Sequence, residues 1–221
     1  MKIMKQSFRP LLDLLADPSA PTSVHDRREV ENVHIADSLA ALEIPAVGEA
    51  ERIVDLGAGA GPPGLVLAIA RPDAEIVLVE SVGKKCAWLE WTVEALGLEN
   101  VRVACVRAEE LAEEPFDVAT ARALGALPVL CEYAAPLLRE GGSLVAWKGA
   151  VDAREEADGL HAAATLGLER VEVRAVVPYR GSQRRTLHVF RKVAPTPEGY
   201  PRRAGMAAKR PLTAPVIRPD R

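Results

Sequence analysis

Aromatic residues make up only 4% of this 221-residue chain, so its buried core has to be assembled from Val, Leu, Ile and Ala. Cysteine is also scarce. Cys86, Cys105 and Cys131 are odd in number and far apart, and they form neither a CxxC pair nor a disulfide framework. The expectation is three small apolar core residues in a reducing compartment. No apolar run approaches the roughly 20 residues of a membrane-spanning helix. The N-terminus has no apolar stretch with a small-residue cleavage site, so a cytoplasmic location is expected. The four histidines (His25, His34, His161, His188) do not cluster; they suggest no general base, and no metal site is expected.

The length suits one sizeable domain. A net charge of −3 argues weakly against a nucleic-acid partner, but the average hides an asymmetry. Residues 193–221 carry six basic side chains and two acids, a balance of +4 against −7 for the rest. A basic tail on an acidic body points to an RNA or phosphate partner.

Hydrophobic spacing predicts helices over 5–16 and 26–42, the second ended by Pro45 and Gly48. Short Val/Ile/Leu/Ala runs then predict strands at 52–56, 75–80, 101–106, 116–121 and 143–147. Helices are expected between them at 63–71, 83–96, 127–139 and 152–166. That alternation implies βαβ units and a parallel sheet covered on both faces. Residues 170–178 and 185–193 alternate like strands around a loop carrying Gly181, which predicts an antiparallel hairpin at the end of the sheet. From Ala194 on, Pro, Gly and Arg dominate and a flexible tail is expected. The reading divides the chain into a helical N-terminal extension (1–48), a cofactor-binding domain (49–193) and a basic tail (194–221).

The most informative segment is 52–64. A short apolar strand carrying Asp55 runs into Gly57, Gly59, Gly61 and Gly64, just ahead of a helix start. Such a turn lets a ligand lie against the main chain and meet free helix N–H groups. Gly59-x-Gly61-x-x-Gly64 also fits a dinucleotide fingerprint, with Glu80 ending the next strand at ribose-binding distance. Three features favour S-adenosylmethionine instead. Asp55 lies inside the strand, where its carboxylate can engage the cofactor's positive amino-acid end. The turn needs no pyrophosphate contact, and the sheet ends in an antiparallel hairpin. Glu80 is then the ribose acceptor, with Ser81 beside it and Ala108 and Glu109 near the adenine edge. The expected fold is α/β: a Rossmann-like, class I S-adenosylmethionine-dependent methyltransferase with a mostly parallel seven-stranded sheet. A nicotinamide-dependent dehydrogenase and a non-catalytic RNA-binding protein of the same fold are the alternatives.

Several segments, in this order, resemble one family. They are His34 to Leu39, the loop from Asp55 to Gly64, Val79 to Lys85, Ala121-Arg122-Ala123, Trp147-Lys148-Gly149, Arg185-Thr186-Leu187 and Tyr200-Pro201-Arg202-Arg203. The resemblance is to the bacterial 16S rRNA guanine-N7 methyltransferases of the small subunit, the GidB or RsmG family. It implies methyl transfer from S-adenosylmethionine to N7 of a guanine in the 530 loop, with 16S rRNA or the small ribosomal subunit as partner; a monomer is expected. Guanine N7 has a lone pair and no proton, so positioning can carry the catalysis. Arg122, Lys148 and Arg185, at or near the sheet ends, are the candidates for the substrate side, and Arg122 also borders the cofactor. Lys84, Lys85, Arg202, Arg203, Lys209 and Arg210 are the candidate RNA-binding residues. His34 and Asp37 share a helix face and either cap the cleft or bond each other. Trp88 and Trp91 read as core or cleft wall.

Overall fold

The alternation of short apolar runs with helical stretches builds one seven-stranded sheet in the computed structural model, which describes residues 7–215. The strands are β1 (Arg52–Leu56), β2 (Glu75–Val79), β3 (Val101–Ala104), β4 (Phe116–Arg122), β5 (Leu138–Lys148), β6 (Leu168–Val176) and β7 (Arg185–Lys192). Their order is β3-β2-β1-β4-β5-β7-β6. The first five are parallel, and β7 enters antiparallel between β5 and β6. The predicted sheet and terminal hairpin are both present. The glycine turn therefore sits at the crest where the chain order reverses on either side of β1, the usual crevice in such sheets.

The helices are α1 (Arg9–Ala16), α2 (Arg27–Val30), α3 (Asp37–Leu39), α4 (Pro45–Glu49), α5 (Gly64–Ala70), α6 (Gly83–Leu96), α7 (Leu127–Ala134), α8 (Ala153–Thr165) and α9 (Met206–Lys209). A π-helical stretch, Glu31–Ala36, joins α2 to α3. The helical run ends just before Pro45, as expected: a 3-10 turn closes at Glu43 and Ile44 is extended, with ψ of 116°. Pro45 then opens α4, where its missing N–H costs nothing. The helix predicted to reach 139 stops earlier, because Leu138 already pairs with Phe116 in the sheet.

Strand periodicity assigns the faces. Ile53, Val118, Val145, Trp147, Leu187 and Val189 pack with α5 and the N-terminal helices, including Leu11, Leu15 and Ile35. Val54, Leu56, Ala119, Ala121, Leu144 and Ala146 pack with α7 and α8 on the opposite side. Among the described residues, no helix is long and apolar enough to cross a membrane.

Two expectations are corrected. Residues 194–215 are not a free tail. Ala207 is buried, Ala214 N–H donates to Asp158 at 2.8 Å, and Gly205 N–H donates to Glu109 at 2.6 Å. Arg202, expected to face RNA, is instead committed to Glu132, a fully buried carboxylate on α7, through its Nε and its backbone N–H. Removing one partner of a buried ion pair typically costs about 3–5 kcal/mol. Arg202→Ala should therefore lower the melting temperature by about 6–20 °C, read by calorimetry, while RNA affinity stays near that of the native chain. The tail residues Arg218 and Arg221 lie outside the described residues.

The second correction concerns cysteine. Cys86 and Cys105 form a disulfide with Cα atoms 5.7 Å apart. Their separation in sequence concealed that α6 begins beside the end of β3, since β2 and β3 are neighbours. Cys131 is free and buried, as a core cysteine should be.

Candidate active site

The loop after β1 is shaped by backbone freedom and by one buried acid. Gly57, Gly59 and Gly61 have φ of +67°, +59° and +120°, a region that disfavours other residues. At Gly64 the constraint is space: a Cβ would meet a Leu78 methyl at 2.3 Å and Asp55 Oδ2 at 2.9 Å. Asp55 lies beneath this turn and not in the cleft. Its Oδ2 accepts from Gly64 N–H at 3.0 Å and its Oδ1 from the Thr120 hydroxyl at 2.7 Å. Full burial pushes its pKa up to about 7.

That shift has a testable sign. Between pH 4 and 7 the folded state holds a proton on Asp55 that the unfolded chain has lost, so this group's contribution to stability declines as pH rises through that window. Asp55→Asn mimics the protonated form. Urea midpoints at pH 5 and pH 8 should fall less for Asp55→Asn than for the native chain, with the variant the more stable at pH 8.

Glu80, nearly buried at the end of β2, ties the two rims of the cleft together. Its Oε2 accepts from Gly59 N–H at 3.1 Å; its Oε1 accepts from Ser81 N–H at 2.8 Å and Val82 N–H at 2.9 Å. A carboxylate has about four acceptor positions, so Oε2 keeps one for a ligand. Around it lies a cleft of about 280 Å³ lined by Gly57, Glu80, Ser81, Lys85, Arg107, Ala108, Glu109, Ala123, Leu124 and Tyr133. This brings together the predicted Gly57, Glu80, Ser81, Ala108 and Glu109. Arg107, Leu124 and Tyr133 were missed, because nothing in their local sequence marks them.

A second cavity opens over the same glycines. Pro21, Thr22, His34, Gly57 to Ala60, Pro62, Lys85, Arg122 and Ala123 line it. Ala123, common to both cavities, has φ of +55°, which costs a non-glycine residue about 1–3 kcal/mol and is typical of functional sites. Arg122 organises the wall. It donates to Val33 O at 2.7 Å, Pro62 O at 3.2 Å and Asp37 Oδ2 at 3.3 Å. Its Nη2 lies 3.1 Å from His34 Nδ1. An arginine only donates, so Nδ1 accepts and Nε2–H donates to the Thr22 hydroxyl, 2.9 Å away. Burial and the guanidinium push His34 down to about 4, which fixes it as a neutral acceptor. His34 and Asp37 make no bond to each other; both turn to Arg122.

The three substrate-side candidates separate. Arg122 and Arg185 reach the same acid, Arg185 Nε lying 3.8 Å from Asp37 Oδ1. Among the described residues, Arg185 is otherwise held only by a 3.5 Å contact from its Nη2 to the Tyr179 hydroxyl. Lys148 lies one residue beyond Trp147, so the pleat sends it to the other face. There it pairs with Glu155 on α8 at 2.6 Å and donates to Gly125 O. Lys84 and Lys85 stand in the first turn of α6 with no ion-pair partner among the described residues. Arg203, Lys209 and Arg210 are exposed. Among the described residues, no group of three His, Cys, Asp or Glu could hold a metal ion.

The model of the GidB family, rRNA small subunit methyltransferase G, matches residues 6–186. The chain belongs to this family. Ribosomal RNA small subunit methyltransferase G of Rubrobacter xylanophilus is 44% identical, covering 84% of this chain and 75% of its own. The Deinococcus deserti protein of the same name is 41% identical over 93% of this chain and 87% of its own. The architecture agrees. A Thermotoga maritima S-adenosylmethionine-dependent O-methyltransferase aligns at a TM-score of 0.59 with 18% identity, over 85% of this chain and 73% of that one. A ribosomal protein L11 methylase from Lactobacillus delbrueckii subsp. bulgaricus gives 0.58 at 14% identity, over 80% and 84%.

This GidB-family chain is thus an S-adenosylmethionine-dependent rRNA methyltransferase, and the dehydrogenase and non-catalytic alternatives are set aside. The residues fit the cofactor: bare backbone at Gly57 and Gly59 along the cavity, with nothing nearer than 3.7 Å to where a Gly59 side chain would project, and an acid at the end of β2 with an acceptor position remaining.

Proposed function

We propose that this enzyme methylates N7 of a guanine in the 530 loop of 16S rRNA. S-adenosylmethionine, when bound, supplies an activated methyl group on a sulfonium. Gly57 to Gly64 would pack against it, Glu80 Oε2 would take a ribose hydroxyl, and Ala108 and Glu109 would flank the adenine. The methyl group would pass from the sulfonium to N7, the positive charge going with it to the guanine. No proton moves.

The state of the cavity wall carries this reading. Both ring nitrogens of its histidine, His34, are already engaged, and Asp55 is sealed beneath the loop. A wall with its bases spent suits an acceptor that needs none, leaving alignment as the main source of rate. Of the three cationic candidates, Arg185 has donors to spend. We assign it to guanine O6, the acceptor beside N7, while Arg122 builds the wall behind it. Lys84 and Lys85 meet phosphate, with Arg203, Lys209 and Arg210 further out. The 530-loop assignment rests on the family resemblance.

Borohydride and aniline cleavage of 16S rRNA, mapped by primer extension, tests the site of modification. A stop in the 530 loop that requires the gene is expected. Identical patterns with and without the gene would sink the N7 assignment.

A further inference from the structure

Trp91 is half exposed on α6, an unusual position for a large ring in a chain with so few. It stands one helical turn after Trp88, with ring centroids 5.4 Å apart and planes inclined at 47°. Trp88 is fixed from behind, since its indole N–H donates to Ala60 O in the glycine loop at 3.2 Å. The pair lines a shallow groove with Ser19, Pro21, Lys84 and Ala87. Pro21 also borders the cavity that holds Gly57 to Ala60 and Arg122, so the groove continues from the methyl-transfer site.

We propose that this groove is a stacking platform for an unpaired nucleobase of the rRNA next to the methylated nucleotide, with its phosphate on Lys84. This rests on the assignment of the chain as an rRNA methyltransferase. The occupant follows from two features. A cation in the first turn of a helix opposes the helix dipole. Lys84 has no partner among the described residues, so it calls for an outside anion. Beside it, an exposed indole backed by a second ring offers the flat apolar face on which any base stacks. A nucleotide supplies both the anion and the ring. A loop target also has to present its flanking bases unstacked.

The test uses 30S particles lacking the modification, with native enzyme, Trp91→Ala, Trp91→Phe and Lys84→Gln. Stacking on an aromatic residue is worth about 1–3 kcal/mol per base, so Trp91→Ala should raise KM for the particle about tenfold or more. The kcat and the affinity for S-adenosylmethionine should stay within about twofold. Trp91→Phe keeps the stacking face and should restore most of the KM, and Lys84→Gln should flatten the salt dependence. On ultraviolet irradiation of the complex, the tryptic peptide Cys86–Arg102 should carry a nucleotide adduct at Trp91. An unchanged KM in Trp91→Ala, or equal losses in the Ala and Phe variants, would overturn the proposal. So would a ribosomal-protein adduct at Trp91 in place of a nucleotide. If the native enzyme methylates neither 30S particles nor free 16S rRNA, the functional assignment itself fails.

Discussion

Arg122→Ala should destabilise the protein by about 3–5 kcal/mol and abolish methyl transfer to rRNA. The guanidinium ties the π-helical stretch to the sheet through Val33 O, His34 and Asp37, and ties both to the glycine loop through Pro62 O. Deleting it leaves Asp37, 1% exposed, with Arg185 Nε, 3.8 Å from Oδ1, as its remaining counter-charge among the described residues. Its Oδ1 has no hydrogen bond, so the buried carboxylate stays poorly compensated. Arg122→Lys keeps the charge but not the fork. One ammonium cannot reach two carbonyls, a carboxylate and a ring nitrogen, so activity should remain low while part of the stability returns. Arg122→Ala with Asp37→Asn separates the two roles. Removing the buried Asp37 charge should recover about 1–3 kcal/mol, the usual coupling of groups in contact, without restoring methylation. Denaturant melts and labelled methyl transfer on the native chain, these three variants and Asp37→Asn alone check this. Additive stability losses in the double variant would refute the pairing.

The same network shows which parts of the site were legible in sequence. The glycine turn, Asp55 and Glu80 form a local pattern: a strand, a turn whose φ values demand glycine, and an acid at the next strand's end. Geometry of this kind is set by neighbouring residues and can be read without a fold. That Asp55 faces inward could also have been read. In a strand whose Val54 and Leu56 face α7 and α8, Asp55 must point with Ile53 toward α5, where the start of that helix covers it. The division of the three cationic candidates follows the same alternation. Arg122 shares its face with Val118 and Thr120, and Arg185 with Leu187. Lys148, one residue past Trp147, cannot join them.

Other features had no local signal. Arg202 belongs to Glu132 because the chain returns across α7 after leaving the sheet, a matter of tertiary path. Composition gave only a basic, proline-rich segment, which is equally the signature of disorder. The Cys86–Cys105 bond depends on β3 lying at the sheet edge beside β2, a pairing that spacing alone does not specify. The π-helical stretch over Glu31–Ala36 turns His34 and Asp37 toward Arg122 instead of toward each other. An ideal helical period would have stacked them.

Glu80→Ala should raise the dissociation constant for S-adenosylmethionine about 100-fold or more. A hydrogen bond to a charged group contributes about 1.5–3 kcal/mol, and this carboxylate serves more than the ligand. It fixes Gly59 N–H on one rim of the cleft and the Ser81 and Val82 N–H groups on the other, so its loss would remove the proposed ribose acceptor and also let the rims part. Glu80→Gln is the sharper test. A glutamine offers one acceptor oxygen and one NH2 group, but both ends of the native carboxylate face backbone donors. Whichever way the amide turns, its NH2 opposes an N–H group, at Gly59 or at Ser81 and Val82. Glu80→Gln should therefore lose most of the affinity despite its matching shape, while its circular dichroism stays native because the strand core around Val77 and Val79 is untouched. Titration calorimetry with S-adenosylmethionine and with its demethylated product should give equal losses, since both carry the same ribose. Native affinity in Glu80→Gln would mean that the ribose is held elsewhere and that Glu80 only braces the loop.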